Sequence, residues 1–436
     1  MGMKRFEITD KVSFEETADR ICGLNAIFAA EEAVRTKTKA TKAIVEAVRA
    51  RGDDAVAEYT ERFDGVALTP DHFEVLPAEI DAAYASVDPE LRQGLERAQA
   101  NIRRFHETRL RGSWRERSAD GTVLGQRITP IERAGVYVPG GKAFYPSSVL
   151  MNIVPACVAG VEEIVMVSPP SYHGTIHPVV LTAARIAGAT RVFRIGGAQA
   201  VAALAFGTGT IPAVVKITGP GNTFVTVAKR LVRGVCEIDT EAGPSEVVVI
   251  ADESADARFV AAELLAQAEH DEEARAMLIT TSPALADKVD ACIVEELALL
   301  SRADMIRRAL DAQGLVVVVN SVSDAVALTN RIAPEHLSIQ TSDPWAVCEQ
   351  IRNAGAIMLG AMTPVAVGDY YAGPNHILPT SGRARYASPL SAEDFRKTSS
   401  LLAYSRERLE RDAPDIRRLA EAEGLTAHAR AVEIRL

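Results

Sequence analysis

The segment Arg331-Ile332-Ala333-Pro334-Glu335-His336-Leu337 sets a carboxylate beside an imidazole where a helical pattern meets a strand. Residues 323–331 read as helix, Pro334 stops it, and Leu337-Ser338-Ile339-Gln340 alternates like a strand. Neighbours in an extended segment point to opposite faces, but Glu335 follows the turn imposed by Pro334, so both groups can reach one cleft. A carboxylate next to an imidazole raises its pKa or orients it, and such a pair suits proton transfer near neutral pH. Alone, a Glu-His dipeptide is more often a surface feature with no role. Three other segments join it. Gln267 and His270, at i, i+3 on a helical stretch, share one face and are followed by acidic residues. Gly368-Asp369-Tyr370-Tyr371-Ala372-Gly373-Pro374-Asn375-His376 gathers Asp, Asn and His in a Gly-rich loop, and Glu423-Gly424-Leu425-Thr426-Ala427-His428 adds a further carboxylate and imidazole. Of only 8 histidines in the chain, four lie in these polar settings, which points to a metal or catalytic site in the C-terminal half.

The elements that must position these groups follow an α/β pattern. Helical periodicity covers 38–52 and 90–108, and from residue 126 onward short apolar strands alternate with helices. One series runs from 164 to 231 and a second from 246 to 359, implying two doubly wound, incomplete Rossmann-like parallel sheets. The predicted organisation is an N-terminal arm over 1–34, one α/β domain formed by 35–135 and 247–390, a second α/β domain over 136–246, and a charged helical C-terminal tail over 391–436. No repeat is visible at the level of identity.

Composition narrows the class. With 436 residues, 47% hydrophobic and 24% charged, the chain has ample core for two or more packing units. A net charge of −10 argues against a nucleic-acid binder. No apolar run approaches a membrane span, and the N-terminus lacks the apolar stretch of a signal peptide. The 5 cysteines (Cys22, Cys157, Cys236, Cys292, Cys348) are scattered and never paired as CxxC, as expected for free thiols in a reducing cytoplasm.

Two near-matches to a dinucleotide fingerprint occur, Gly207-Thr208-Gly209 and Gly219-Pro220-Gly221, and both lack the third glycine. The first follows a helix, the wrong context. The second lies between a strand and a helix, where amides at a helix N-terminus meet phosphate, although it reads equally as a tight turn. The acid expected about twenty residues on, for ribose, has Glu237 and Asp239 as neighbours but no clear placement.

Six blocks in order carry a resemblance: Gly135-Val136-Tyr137-Val138-Pro139-Gly140-Gly141-Lys142, Gly196-Gly197-Ala198-Gln199-Ala200, Gly219-Pro220-Gly221-Asn222, Ala242-Gly243-Pro244-Ser245-Glu246, Gln267-Ala268-Glu269-His270 and Ala333-Pro334-Glu335-His336-Leu337. With the closing Glu-Gly-Leu-x-Ala-His, the chain resembles the histidinol dehydrogenase family from about residue 40 to 436. The resemblance implies oxidation of L-histidinol to L-histidine through L-histidinal with two NAD, catalysed by Glu335 as activator of water and His336 as base. It implies NAD contacts from Tyr137, Gln199 and Asn222, and one zinc ion per subunit on Gln267, His270, Asp369 and His428. Substrate would meet Ser245, Gln267, His270, His336, Asp369, Glu423 and His428, in a homodimer whose tails complete shared active sites. From donor chemistry alone Glu269 is a better zinc ligand than Gln267, whereas helical geometry favours Gln267. His376 is expected to order its loop rather than to bind metal.

Two departures from the family pattern stand out, Asp239-Thr240-Glu241 and Arg396-Lys397-Thr398-Ser399-Ser400, and the added charge of Glu241 lies close to Ser245. The runner-up is a paralogous zinc and NAD dehydrogenase acting on another small alcohol such as a sulfonated diol, which would be expected to lose the acid at Glu423. A zinc hydrolase lacks its His-Glu-x-x-His helix here and gives no use to Tyr137, Gln199 and Asn222. A non-catalytic scaffold would have no need of an intact Glu335, His336 and ligand set.

Overall fold

A computed structural model describes residues 3–30, 32–140, 144–241 and 243–436. Gly141, Lys142 and Ala242 of the motifs above lie outside the described residues. Strands are numbered in chain order. A five-stranded sheet runs β6 (Arg191–Phe193), β5 (Glu163–Val167), β4 (Arg133–Tyr137), β7 (Lys216–Thr218), β8 (Glu237–Ile238). A six-stranded sheet runs β1 (Lys4–Glu7), β11 (Leu315–Val318), β10 (Arg275–Thr280), β9 (Glu246–Ala251), β12 (His336–Gln340), β13 (Ala356–Leu359). Every pairing in both sheets is parallel. Counting strands from β4 and from β9, the two sheets share one order, 3-2-1-4-5, with β1 added to the edge of the second. The chain thus repeats an incomplete Rossmann-like unit in topology that its sequence does not repeat in identity.

These strands are apolar along their length because both faces are covered. In β9, Val247 and Val249 enter one core with Leu264 and Leu278, while Val248 and Ile250 enter the opposite one with Ile279 and Leu337. In the five-stranded sheet Val136 and Met166 face one way, Val165 and Ile217 the other.

One expectation needs correction, and two are met with an added element. The helices Glu32–Arg51 and Asp53–Asp64 bury Ile44, Val48 and Val56 against Val165 and Ile217, and helix Pro89–Glu107 buries Leu95 and Ile102 against Ala134 and Val136. Residues 35–107 therefore complete the five-stranded, not the six-stranded, unit. An amphipathic stripe states that a helix is covered, not by what. The N-terminal arm is present and docked, since β1 extends the six-stranded sheet beside β11 and helix Lys11–Ala30 follows it. The tail, finally, contains a strand, β14 (Arg396–Ala403), antiparallel to β3 (Val123–Pro130), which pairs with β2 (Trp114–Arg117). Mixed charged and β-branched residues on an exposed ribbon leave no apolar alternation to read.

Among the described residues, no helix is long and apolar enough to cross a membrane.

Near the end of helix Pro89–Glu107, His106 is buried, and burial, aided by Arg109, pushes its pKa down to about 4. The unfolded chain binds a proton there from about pH 6.5 downward while the folded one does not, so His106 makes stability fall as pH drops from 6.5 toward 4. In urea melts at pH 7 and pH 5, the loss of stability on acidification is expected to shrink in His106→Leu. An unchanged loss would mean that other groups set the acid sensitivity.

Candidate active site

Helix Val322–Ile332 ends on Ala333 in the left-handed region, φ 54°, with its N–H on the Thr329 carbonyl at 2.8 Å. That turn, followed by Pro334, sets Glu335 and His336 at the start of β12, and both are buried. Glu335 Oε2 accepts the Glu246 N–H at 2.8 Å, and His336 Nδ1 lies 3.2 Å from the Glu246 carbonyl oxygen. A carbonyl only accepts, so Nδ1 carries a proton and Nε2 is the ring atom presented to the site. Nε2 lies 3.3 Å from Asp369 Oδ1, and Nδ1 lies 3.5 Å from Glu335 Oε2. Burial pulls the imidazole down, but the Glu335 and Asp369 carboxylates outweigh it and hold His336 well above the ordinary histidine value. Burial likewise opposes ionisation of Asp369, and the hydrogen bond and charge of His336 reverse this and lower its pKa. Close packing defines the floor: a Cβ on Gly355 would meet the Glu335 carbonyl oxygen at 2.6 Å.

Gln267 lies on helix Ala257–Ala268, buried, with its Nε2 lacking a hydrogen-bond partner. The oxygen and nitrogen of an amide are interchangeable in such an assignment, so the side chain offers one unsatisfied polar atom where a ligand would meet it. His270 follows the helix end, its N–H on the Gln267 carbonyl at 3.3 Å, so the i, i+3 relation survives. One turn before Gln267, Glu263 accepts the Val365 N–H at 3.0 Å and fixes the start of helix Val365–Tyr370, which carries Asp369. The charge of His270 is felt at Asp369. Gln267 and His270 thus lie close together at the end of one helix, with His270 near enough to Asp369 for its charge to be felt there, and an imidazole and a carboxylate are donors that a zinc ion takes. Glu423 and His428 are exposed on the tail, at the end of helix Arg406–Ala422 and on helix Thr426–Glu433. Among the described residues of a single chain, no three His, Cys, Asp or Glu side chains gather as a metal centre. His376 orders its loop: Nδ1 lies 2.8 Å from the Asp369 carbonyl oxygen and Nε2 lies 3.3 Å from Ser148 Oγ.

The other set lies at the carboxyl ends of the five-stranded sheet, where the strand order reverses between β4 and β7. Tyr137 closes β4, its hydroxyl accepting the Gly197 N–H at 3.1 Å, and burial pushes its pKa up to about 12. Gly219 has φ 112°, and a Cβ there would lie 2.0 Å from the Tyr137 carbonyl oxygen, so only glycine fits. Asn222 caps helix Thr223–Val232 by accepting the N–H groups of Phe224 and Val225, which leaves its amide NH2 for a ligand. Gln199 is wholly buried, with neither amide atom partnered, an uncommon state that a bound polar ligand would relieve. Asp239 is not a ribose acceptor. One carboxylate oxygen takes the Gly219 N–H at 2.7 Å and the other pairs with Lys229, whose Nζ also donates to the Gly219 carbonyl at 3.0 Å. The Gly207 segment is a turn tied to helix Asp53–Asp64 through Thr210 Oγ1 and Asp53.

Ser245 is half-buried immediately before β9, and its carbonyl accepts the Arg275 N–H at 2.9 Å. The charge of Glu241 is taken up by Arg230 at 2.7 Å and Arg383 at 3.4 Å, not by the Ser245 surroundings. Sequence reasoning missed Glu246 and Arg275, which open β9 and β10 and are buried charges. The available signal was a charged residue leading an otherwise apolar strand.

A sequence model of the family described as histidinol dehydrogenase matches residues 29–436. The histidinol dehydrogenase of Heliobacterium mobile is 53% identical over 393 residues, 90% of this chain and 92% of that protein. That of Syntrophotalea carbinolica is 50% identical over 426 residues, 98% of each. The crystal structure of histidinol dehydrogenase from Elizabethkingia anophelis shares the fold with a TM-score of 0.92 at 34% identity, covering 99% of this chain and 98% of that one. With a match across most of its length and relatives at half identity, the chain belongs to the histidinol dehydrogenase family.

Proposed function

We propose that the protein oxidises L-histidinol to L-histidine through L-histidinal, passing a hydride to each of two NAD in succession, as the last steps of histidine biosynthesis. The observation that carries the residue roles is the buried Glu335–His336 pair fastened to the main chain of Glu246 beside Asp369. In the first step His336, acting from Nε2 once Asp369 gives up that nitrogen for the ion it would help hold, takes the alcohol O–H proton while the carbinol hydride leaves for NAD. Nδ1 cannot take this role, because it is committed to the Glu246 carbonyl. In the second step water adds to the aldehyde as Glu335 takes its proton, and the hydrate loses hydride to the second NAD. Because the two groups are neighbours, the aldehyde need not leave between steps.

Tyr137, Gln199 and Asn222 are assigned to NAD. The unpartnered amide of Gln199 and the free NH2 of Asn222 supply hydrogen bonds, and the Gly219 turn, locked by Asp239 and Lys229, lets the cofactor approach the main chain. Gln267, His270 and Asp369 would hold zinc together with His428. When bound, such an ion acts as a Lewis acid that grips and orients substrate nitrogens. Glu423 suits the cationic amine and Ser245 the polar rim of the substrate. Since Glu423 and His428 stand exposed on the tail of one chain, we assign them to the site of a second copy, making the functional unit a homodimer in the cytoplasm.

Three outcomes test this. Purified protein given L-histidinol is expected to form two NADH per alcohol consumed, a yield lost on chelation and restored by zinc; one NADH per alcohol would overturn the two-step reading. Glu335→Gln is expected to slow the aldehyde step by about 100-fold or more and the alcohol step far less, whereas His336→Asn slows the alcohol step, checked by supplying the alcohol or the aldehyde separately. Equal loss in both steps for Glu335→Gln would contradict its role. Mixing His428→Ala with His336→Asn subunits, each inactive alone, is expected to regain roughly a quarter of full activity in a twofold dimer that shares sites. No recovery would place the tail in its own chain's site.

A further inference from the structure

The catalytic roles of Glu335 and His336 leave unexplained the residue that both of them touch. Glu246 opens β9, and the next five residues, Val247 to Ala251, are apolar. Its side chain is 1% exposed. A carboxylate in that place is costly, and more so beside Glu335: burial first, then the Glu335 charge, push its pKa up to about 7 against the pull of Arg275. A strand start needing only core would carry another valine.

The surroundings of Glu246 hold a single segment from both sides. Its Oε1 accepts the Ser381 N–H at 2.8 Å, and its Oε2 lies 3.9 Å from Arg275 Nη1 on the neighbouring strand. Ser381 has φ 55°, a left-handed conformation that a serine holds only where its neighbours fix it. The preceding Thr380 Oγ1 accepts the Gly243 N–H at 2.7 Å, and a Cβ on Gly243 would meet Ser381 Oγ at 2.4 Å. The Thr380–Ser381 turn therefore sits on the segment between Gly243 and Glu246, which carries Ser245 and whose last residue offers its N–H to Glu335 and its C=O to His336.

We propose, on the footing of the catalytic reading above, that Glu246 is a positioning residue: its carboxylate, held between Arg275 and the Ser381 N–H, fixes the main-chain unit that orients Glu335 and His336. It touches neither substrate nor cofactor and acts through that unit. An amide is a poor replacement, because whichever way it turns, its NH2 faces either the Ser381 N–H or the Arg275 guanidinium.

The test uses the full-length, zinc-loaded enzyme carrying Glu246→Gln, Arg275→Met or both, with Glu335→Gln and His336→Asn as references. Each of the first two is expected to lower kcat by ~10-fold, with KM for the alcohol and for NAD within ~2-fold of wild type. The double variant is expected to lose little more than either single one, since both act through one contact. Its melting temperature is expected to equal or exceed that of the singles, because an apolar or neutral pair replaces a buried charged one. Wild-type kcat in Glu246→Gln, a rise in KM with kcat kept, or losses that multiply to ~100-fold in the double variant would each overturn the proposal. If Glu335→Gln and His336→Asn themselves keep full activity, the catalytic reading fails instead, and the two failures are told apart in one assay. A Glu246→Asp variant recovers part of kcat if the carboxylate is what matters; recovery no better than with Gln counts against it.

Discussion

One residue's main chain holds both halves of the catalytic pair: the N–H of Glu246 meets Glu335 and its C=O meets His336. Charged groups out of water persist only where every polar atom finds a partner, so this contact constrains much around it. Ala333 takes a left-handed turn to aim Glu335 inward, and Gly355 must lack a side chain to let it lie there. Asp369 closes on the far ring nitrogen from a short helix that Glu263 pins in place.

The two parallel sheets share a strand order and use opposite ends. At the carboxyl ends of the five-stranded sheet lie Tyr137, the Gly219 turn and the Asn222-capped helix, the usual address for a ligand in an open α/β sheet. In the six-stranded sheet the working residues Glu246, Arg275 and His336 are the first of their strands. Main-chain N–H groups at a strand start can lie outside the ladder, and that of Glu246 is spent on a carboxylate. Two copies of one topology thus present different residues, one set at the carboxyl ends of its strands and the other at their amino ends.

Much of this was legible in the sequence, because its signals are local. Apolar runs such as Val247 to Ile250 announce strands with both faces covered, Pro334 announces the turn into His336, and the i, i+3 spacing of Gln267 and His270 survives in space. What stayed hidden depends on partners distant in the chain. The stripe of Ile44, Val48 and Val56 does not say which sheet it covers. Asp239 stands at the spacing of a ribose acceptor, yet a lysine ten residues before it claims one of its oxygens. The buried role of Glu246 needs Ser381, 135 positions away, to be seen. The strand in the tail has no apolar alternation at all, and only the register of Arg396 with Pro130 through Ala403 with Val123 reveals it.

The pairing of β1 with β11 has a consequence for how the molecule is made. Lys4–Glu7 leaves the ribosome long before its partner, Leu315–Val318. That strand must therefore wait for β11 to be made, and a contact of such sequence separation closes slowly. The hydrogen bond from the Ser381 N–H to Glu246 at the start of β9 forms later still. Until the two meet, the edge of β11 that β1 covers is an open strand edge, the kind of surface on which a wrong partner pairs.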